Sequence, residues 1–111
     1  MEERFSREAF CRVSRYTLSP KAQRDIFQHW IYISKDSADS ADNVEAAIYR
    51  NCELLVQNSG VGRPSLKRMS PPVFTWPALP YENYLIFYRV TSRGIRVIRI
   101  LRAERNLRRL P

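Results

Sequence analysis

The apolar positions of this chain recur with a helical period in its first half and as near-continuous strand-like runs in its second. Ala22, Ile26, Trp30 and Ile33 fall on one face of a helix, and Phe27 and Ile31 widen that stripe, which predicts an amphipathic helix to about Lys35. Ser19 is placed to cap it, and Pro20 sits at the first helical position, where its missing N–H costs nothing. Asp36 to Ser40 is polar and predicts a tight connection, with Asp39 as N-cap of a second helix and Asp42 in its first turn. Val44, Ala47, Ile48, Cys52, Leu55 and Val56 then recur at helical spacing up to Asn58, with Gly60 as the stop. Two such helices form an α-hairpin whose apolar faces need a sheet to cover.

The sheet is predicted chiefly by the C-terminal half. Tyr84 to Val90 and Ile95 to Leu101 are apolar runs separated by Thr91-Ser92-Arg93-Gly94, the pattern of an antiparallel hairpin. Apolar residues at both parities predict that this hairpin is central and covered on both faces. Val73 to Trp76 predicts a strand stopped by Pro77 and Pro80, and Pro80 to Asn83 a turn into the hairpin. Gly62-Arg63-Pro64 opens a loop through Pro71-Pro72 and lacks the further glycines and the lysine of a phosphate loop. Arg12 to Leu18 predicts a short N-terminal strand, and residues 1–14 a loose arm. The expectation is one α+β domain over residues 1–111: an N-terminal strand, an α-hairpin, then a three-stranded antiparallel meander with the helices packed on the sheet.

Charge adds a partner to this picture. Nineteen Lys and Arg against 11 Asp and Glu give a formal net charge of +8, which implies an acidic partner: nucleic acid, an anionic surface or an acidic protein segment. Arg96, Arg99, Arg102 and Arg105 run along the last strand and its exit as a candidate target-binding surface. Among Val97, Ile100 and Leu101, Arg99 must face a cleft or meet a buried carboxylate. Arg89 is either a contact for an anionic partner or an ion-pair partner of Glu82 or Glu104. Trp30 and Trp76 stand at core spacing, and His29 is expected on a helix surface. Cys11 and Cys52 match no metal-ligand spacing, so neither a metal nor another cofactor is expected. No segment is apolar and long enough to span a membrane, and the charged N-terminus lacks a signal-peptide core, so a cytoplasmic location is expected.

Five stretches in order, YTLSPKAQRDI, ADNVEAAI, GRP, NYLIFYRV and IRILRAERNL, resemble the RelE/ParE toxins of bacterial type II toxin–antitoxin modules, over Tyr16 to about Leu107. The resemblance implies a compact toxin neutralised by an antitoxin encoded beside it. RelE-like members cut mRNA on the ribosome, using basic residues to stabilise phosphate charge. One such arginine of that branch stands on the central strand, and here that position is Leu85. A second basic position is kept as Arg105, while Glu104 to Pro111 holds neither the tyrosine nor the histidine that branch ends on.

ParE-like members, which poison DNA gyrase, often end in His-Gly-x-Arg-Asp. This chain has Arg102-Ala103-Glu104-Arg105-Asn106 there, keeping the arginine and replacing the histidine and the aspartate. The resemblance therefore implies a gyrase inhibitor acting by contact, with a ParD-like antitoxin whose acidic C-terminal segment folds onto the toxin. Trp30, Ile33, Tyr84 and Arg89 are the residues expected to receive that segment. The alternatives are a ribosome-dependent endoribonuclease and a non-toxic module that pairs with its antitoxin as a co-repressor.

Overall fold

A computed structural model describes residues 15–64 and 72–103. Its elements are β1 (Arg15–Leu18), α1 (Pro20–Ser34), α2 (Ala38–Gln57), a 3-10 turn (Ser59–Val61), β2 (Arg63–Pro64), β3 (Phe74–Ala78), β4 (Tyr81–Thr91) and β5 (Gly94–Arg102). The strands make one sheet in the order β1-β5-β4-β3-β2, with β1 parallel to β5 and the other pairs antiparallel. This is the expected α+β arrangement, with the meander β3-β4-β5 at its centre. The loose arm expected over residues 1–14 lies outside the described residues, as do Cys11 and Arg105.

Local chemistry explains where the helices begin. The Ser19 hydroxyl accepts from the Ala22 N–H at 3.0 Å while Pro20 opens α1, as its sequence predicts. The second cap is Ser37, not Asp39: its hydroxyl accepts from the Ser40 N–H at 3.1 Å. Asp39 lies in the first turn instead, where a carboxylate faces the positive end of the helix dipole. α2 ends at Gln57 with Asn58 as C-cap, and Gly60 belongs to the following 3-10 turn.

The core lies between the helices and one face of the sheet. Ala22 and Ile26 of α1 and Val44, Ile48, Cys52 and Leu55 of α2 pack on Tyr84, Ile86, Tyr88, Ile95, Val97 and Ile100. Burial raises the Cys52 thiol to about 12, helped by the nearby Glu53 charge, so it stays protonated. Buried Asn51 is fully occupied. Its amide donates to Ala47 O (2.8 Å) and Leu79 O (2.9 Å), and its oxygen accepts from Trp76 Nε1 (3.1 Å). The widened stripe of α1 is not buried: Phe27 is 60% exposed and Ile31 also faces out, and the fully buried residues of the helix are Ala22 and Ile26.

Four strand expectations change. β3 continues through Pro77, since β2 pairs only with Phe74 and Thr75 and leaves the outer edge at Pro77 without a strand. Arg63 and Pro64 form that short edge strand rather than only a loop, and Tyr81 to Asn83 belong to β4 rather than to a turn. The hairpin is helix-covered on one face only among the described residues; on the other, Leu85, Phe87 and Arg89 are half-buried. Close approach fixes two glycines. Gly94 has φ +149° and a Cβ there would overlap the Arg15 carbonyl oxygen, while a Cβ on Gly62 would overlap the Tyr88 hydroxyl. That hydroxyl accepts from the Gly62 N–H (3.1 Å) and donates to Ser59 O (2.8 Å), tying the 3-10 turn to the sheet.

Candidate functional site

Alternation along the strands gathers arginines on the open face. Thr17, Arg96 and Arg89 form one row across β1, β5 and β4, and Arg15, Gly94 and Thr91 form the next. Arg96 donates from Nη1 to the Thr17 hydroxyl at 3.1 Å. The Nε groups of Arg15 and Arg89 are buried and reach no hydrogen-bond acceptor among the described residues. Arg89 and Arg96 stand directly opposite each other, an arrangement that repels. Further along the same face the character changes. Leu85 pairs with Leu101 across β4 and β5, and a cavity of about 440 Å³ is lined by Val61, Pro77, Leu79 and Leu85, with Arg63 and Glu82 also lining it.

A bulge decides where the remaining arginines go. The β4–β5 register shifts between Phe87 and Tyr88, so Ile98 is the extra residue, and Val97 and Ile100 both reach the core. Arg99, next to it, turns to α1 and holds the Asp25 carboxylate through Nε (2.8 Å) and Nη2 (3.0 Å). Partial burial by itself would raise the Asp25 carboxyl. The Arg99 side chain, the Ile100 N–H bond and the charges of Arg99 and His29 outweigh it and hold the carboxyl below its ordinary range. His29 is not a free surface residue, since its Nε2 donates to Ile100 O at 2.8 Å and its ring meets Tyr84 edge-on at 5.0 Å. Arg102 lies with its guanidinium 5.8 Å from the centre of the Tyr32 ring.

The expected site residues thus fall on separate surfaces. Arg96 is on the open face, Arg99 is engaged by Asp25, and Arg102 is exposed beside α1. Of the residues expected to receive an antitoxin, Arg89 is on the open face and Tyr84 is buried at 6% exposure on the opposite one. Ile33 packs half-buried against the core. Trp30 lines a separate groove between the helices, of about 590 Å³, with Ile26, Phe27, Asp42, Glu45 and Tyr49, and its Nε1 donates to Asp42 at 2.8 Å. Sequence reasoning missed Arg15 and Asp25. The only available signals were the strand parity of Arg15 with Thr17 and the four-residue spacing of Asp25 and His29 on α1.

Residues 16–107 match the family of the ParE toxin of type II toxin–antitoxin system, parDE. The chain belongs to the ParE toxin family. This ParE-family chain is similar to a solved structure described as the chromosomal ParDE TA system from P. aeruginosa. The two share 26% sequence identity with a TM-score of 0.67, over 83% of this chain and 98% of that one. No curated protein matches it. As the toxin component of a type II module, a ParE-family chain has a cognate antitoxin as its partner. Among the described residues no helix is long and apolar enough to cross a membrane.

Proposed function

We propose that this ParE-family toxin inhibits DNA gyrase by protein contact, holding the enzyme in complex with cleaved DNA, and that a ParD-like antitoxin with an acidic C-terminal segment neutralises it. One observation carries the reading: on the open face, where a nucleic-acid-cutting relative needs charge to stabilise a phosphate, Leu85 is paired with Leu101. His29, the single histidine, is committed to the Ile100 carbonyl on the helix side, away from that face. Arg96 and Arg102 present exposed guanidiniums for the target, and Arg105 extends the same basic run. Arg99 serves this surface by holding β5 against α1 through Asp25.

The test is a gyrase cleavage assay with the purified chain beside primer extension of mRNA on translating ribosomes. Cleaved DNA accumulates and transcripts stay intact. Codon-positioned mRNA cuts that vanish in Arg105→Ala, with gyrase undisturbed, would replace this reading with that of a ribosome-dependent endoribonuclease. Expression without any growth defect would replace it with a non-toxic co-repressor module.

A further inference from the structure

We infer that the groove between the two helices receives the chain's own C-terminal segment, Glu104 to Pro111, which crosses the outer surface of α1 and sets Arg108 and Arg109 against Asp42 and Glu45.

The groove differs in charge from the protein around it. The whole chain carries +8, but α2 holds Asp39, Asp42, Glu45 and Glu53 against Arg50 alone. Asp42 and Glu45 line the groove together with the rings of Phe27, Trp30 and Tyr49. The Trp30 Nε1–H donates to one oxygen of Asp42, which orients the ring and leaves the second oxygen for another donor. Among the described residues the one ion pair joins Arg99 to Asp25, so neither groove carboxylate has a cation there. Carboxylates set among aromatic faces suit a guanidinium, which forks onto the oxygens and stacks on the rings. An acidic polypeptide or a nucleic-acid backbone is repelled.

The segment after β5 has the matching composition and departs from the right place. Glu104 to Pro111 lie outside the described residues and read ERNLRRLP, three arginines and two leucines against one glutamate. Their starting point is held on two sides: the Ala103 N–H donates to Asn83 O, and Arg102 stands beside Tyr32 of α1. Tyr32 and Trp30 are two positions apart, so an outward arc of about 200° separates their faces of the helix. That arc passes over Ile31 and Phe27, two apolar residues left exposed by the packing of the core.

Reach then selects the residues that arrive. On a helix roughly 10–12 Å across the arc measures roughly 17–21 Å, or about five to six extended residues. Counted from Ala103, those positions are Arg108 and Arg109. Leu107 falls on the strip of Ile31 and Phe27, and Leu110 on the rings inside the groove. The arginines of this end of the chain are thereby divided. Arg108 and Arg109 belong to the fold, whereas Arg102 and Arg105 stay beside α1 as the part of the basic run open to a target.

The test is paramagnetic broadening in heteronuclear NMR spectra of the full chain, with a nitroxide attached at Pro111→Cys. Cys11→Ser removes one competing thiol, and Cys52 is buried and protonated. The Trp30 indole N–H and the Phe27 amide lose most of their intensity, while Thr91 and Arg96 on the open face keep theirs. Asp42→Asn together with Glu45→Gln restores the lost signals. Arg108→Gln together with Arg109→Gln restores them equally, without touching a residue of the packed core.

Absent broadening, broadening centred on the open face, or broadening that both pairs of substitutions leave unchanged overturns the inference. A mixture separates one molecule from two: spin-labelled chains without isotope are combined with isotope-labelled chains without a nitroxide. The groove signals stay sharp in that mixture. Their loss there assigns the groove to the tail of a second copy and overturns docking within one chain. Gyrase takes no part in these measurements, so the reading of the target stands or falls separately.

Discussion

The two faces of β4 carry the same alternating strand and do different work. On the inner face Tyr84, Ile86 and Tyr88 are buried beneath the helices, and Tyr88 also anchors the 3-10 turn. On the outer face Leu85, Phe87 and Arg89 are half-buried, with no described helix above them. The contrast separates what holds the domain together from what it offers a partner. Substitutions on one face should register in stability, and on the other in binding.

The sharpest way to break that contrast is a matched pair. Ile86→Ala empties a fully buried position and is expected to lower stability by about 3–4 kcal/mol, whereas Leu85→Ala lowers it by about 1 kcal/mol. Urea unfolding followed by circular dichroism measures both, and equal losses would mean that the outer face is core after all. Tyr88→Phe comes next. It strands the Gly62 N–H and the Ser59 carbonyl, for an expected loss of about 1–2 kcal/mol, with hydrogen exchange accelerated at Gly62.

Asp25→Asn should have the smallest effect, and it depends on pH. The folded carboxyl titrates below its ordinary value of 3.8, so its contribution is complete above that value and is lost as pH falls through the lower folded one. With the Arg99 side chain 38% exposed, solvent screens much of the pairing, and the difference in melting temperature is small at neutral pH. That difference should shrink further as pH is lowered from about 4 to about 2. A gap that widens on acidification would show that the carboxylate is not stabilising in the folded state.

Which parts of this were legible beforehand follows from how local each cause is. Ser19 and Pro20 announce α1 because capping involves only neighbouring residues. The cap of α2 is Ser37, two residues before Asp39, and the sequence does not distinguish them because both are competent caps. The hairpin was legible from its turn, with Thr91 paired to Gly94. The destinations of Arg96 and Arg99 were not. An extra residue at Ile98 breaks the parity that would otherwise predict them, and no composition signal marks it. Likewise, nothing in the spacing of Arg15, Arg89 and Arg96 announces that three strands bring them to adjacent rows. Phe27 and Ile31 matched a helical period as well as Ile26 did, since periodicity reports a stripe but not the width of the surface it meets.

One edge of the sheet has a consequence for the toxin's life before it meets any partner. β1 accompanies β5 only as far as Val97, and beyond it three α1-side groups stand in for a strand. The Ser19 hydroxyl donates to Ile98 O at 2.7 Å, Asp25 accepts from the Ile100 N–H at 3.0 Å, and His29 donates to Ile100 O. A newly made copy therefore exposes no bare backbone ladder along this stretch onto which another could zip. The molecule is shielded there from fibril-like self-assembly, and its sociability is left to side chains that can discriminate.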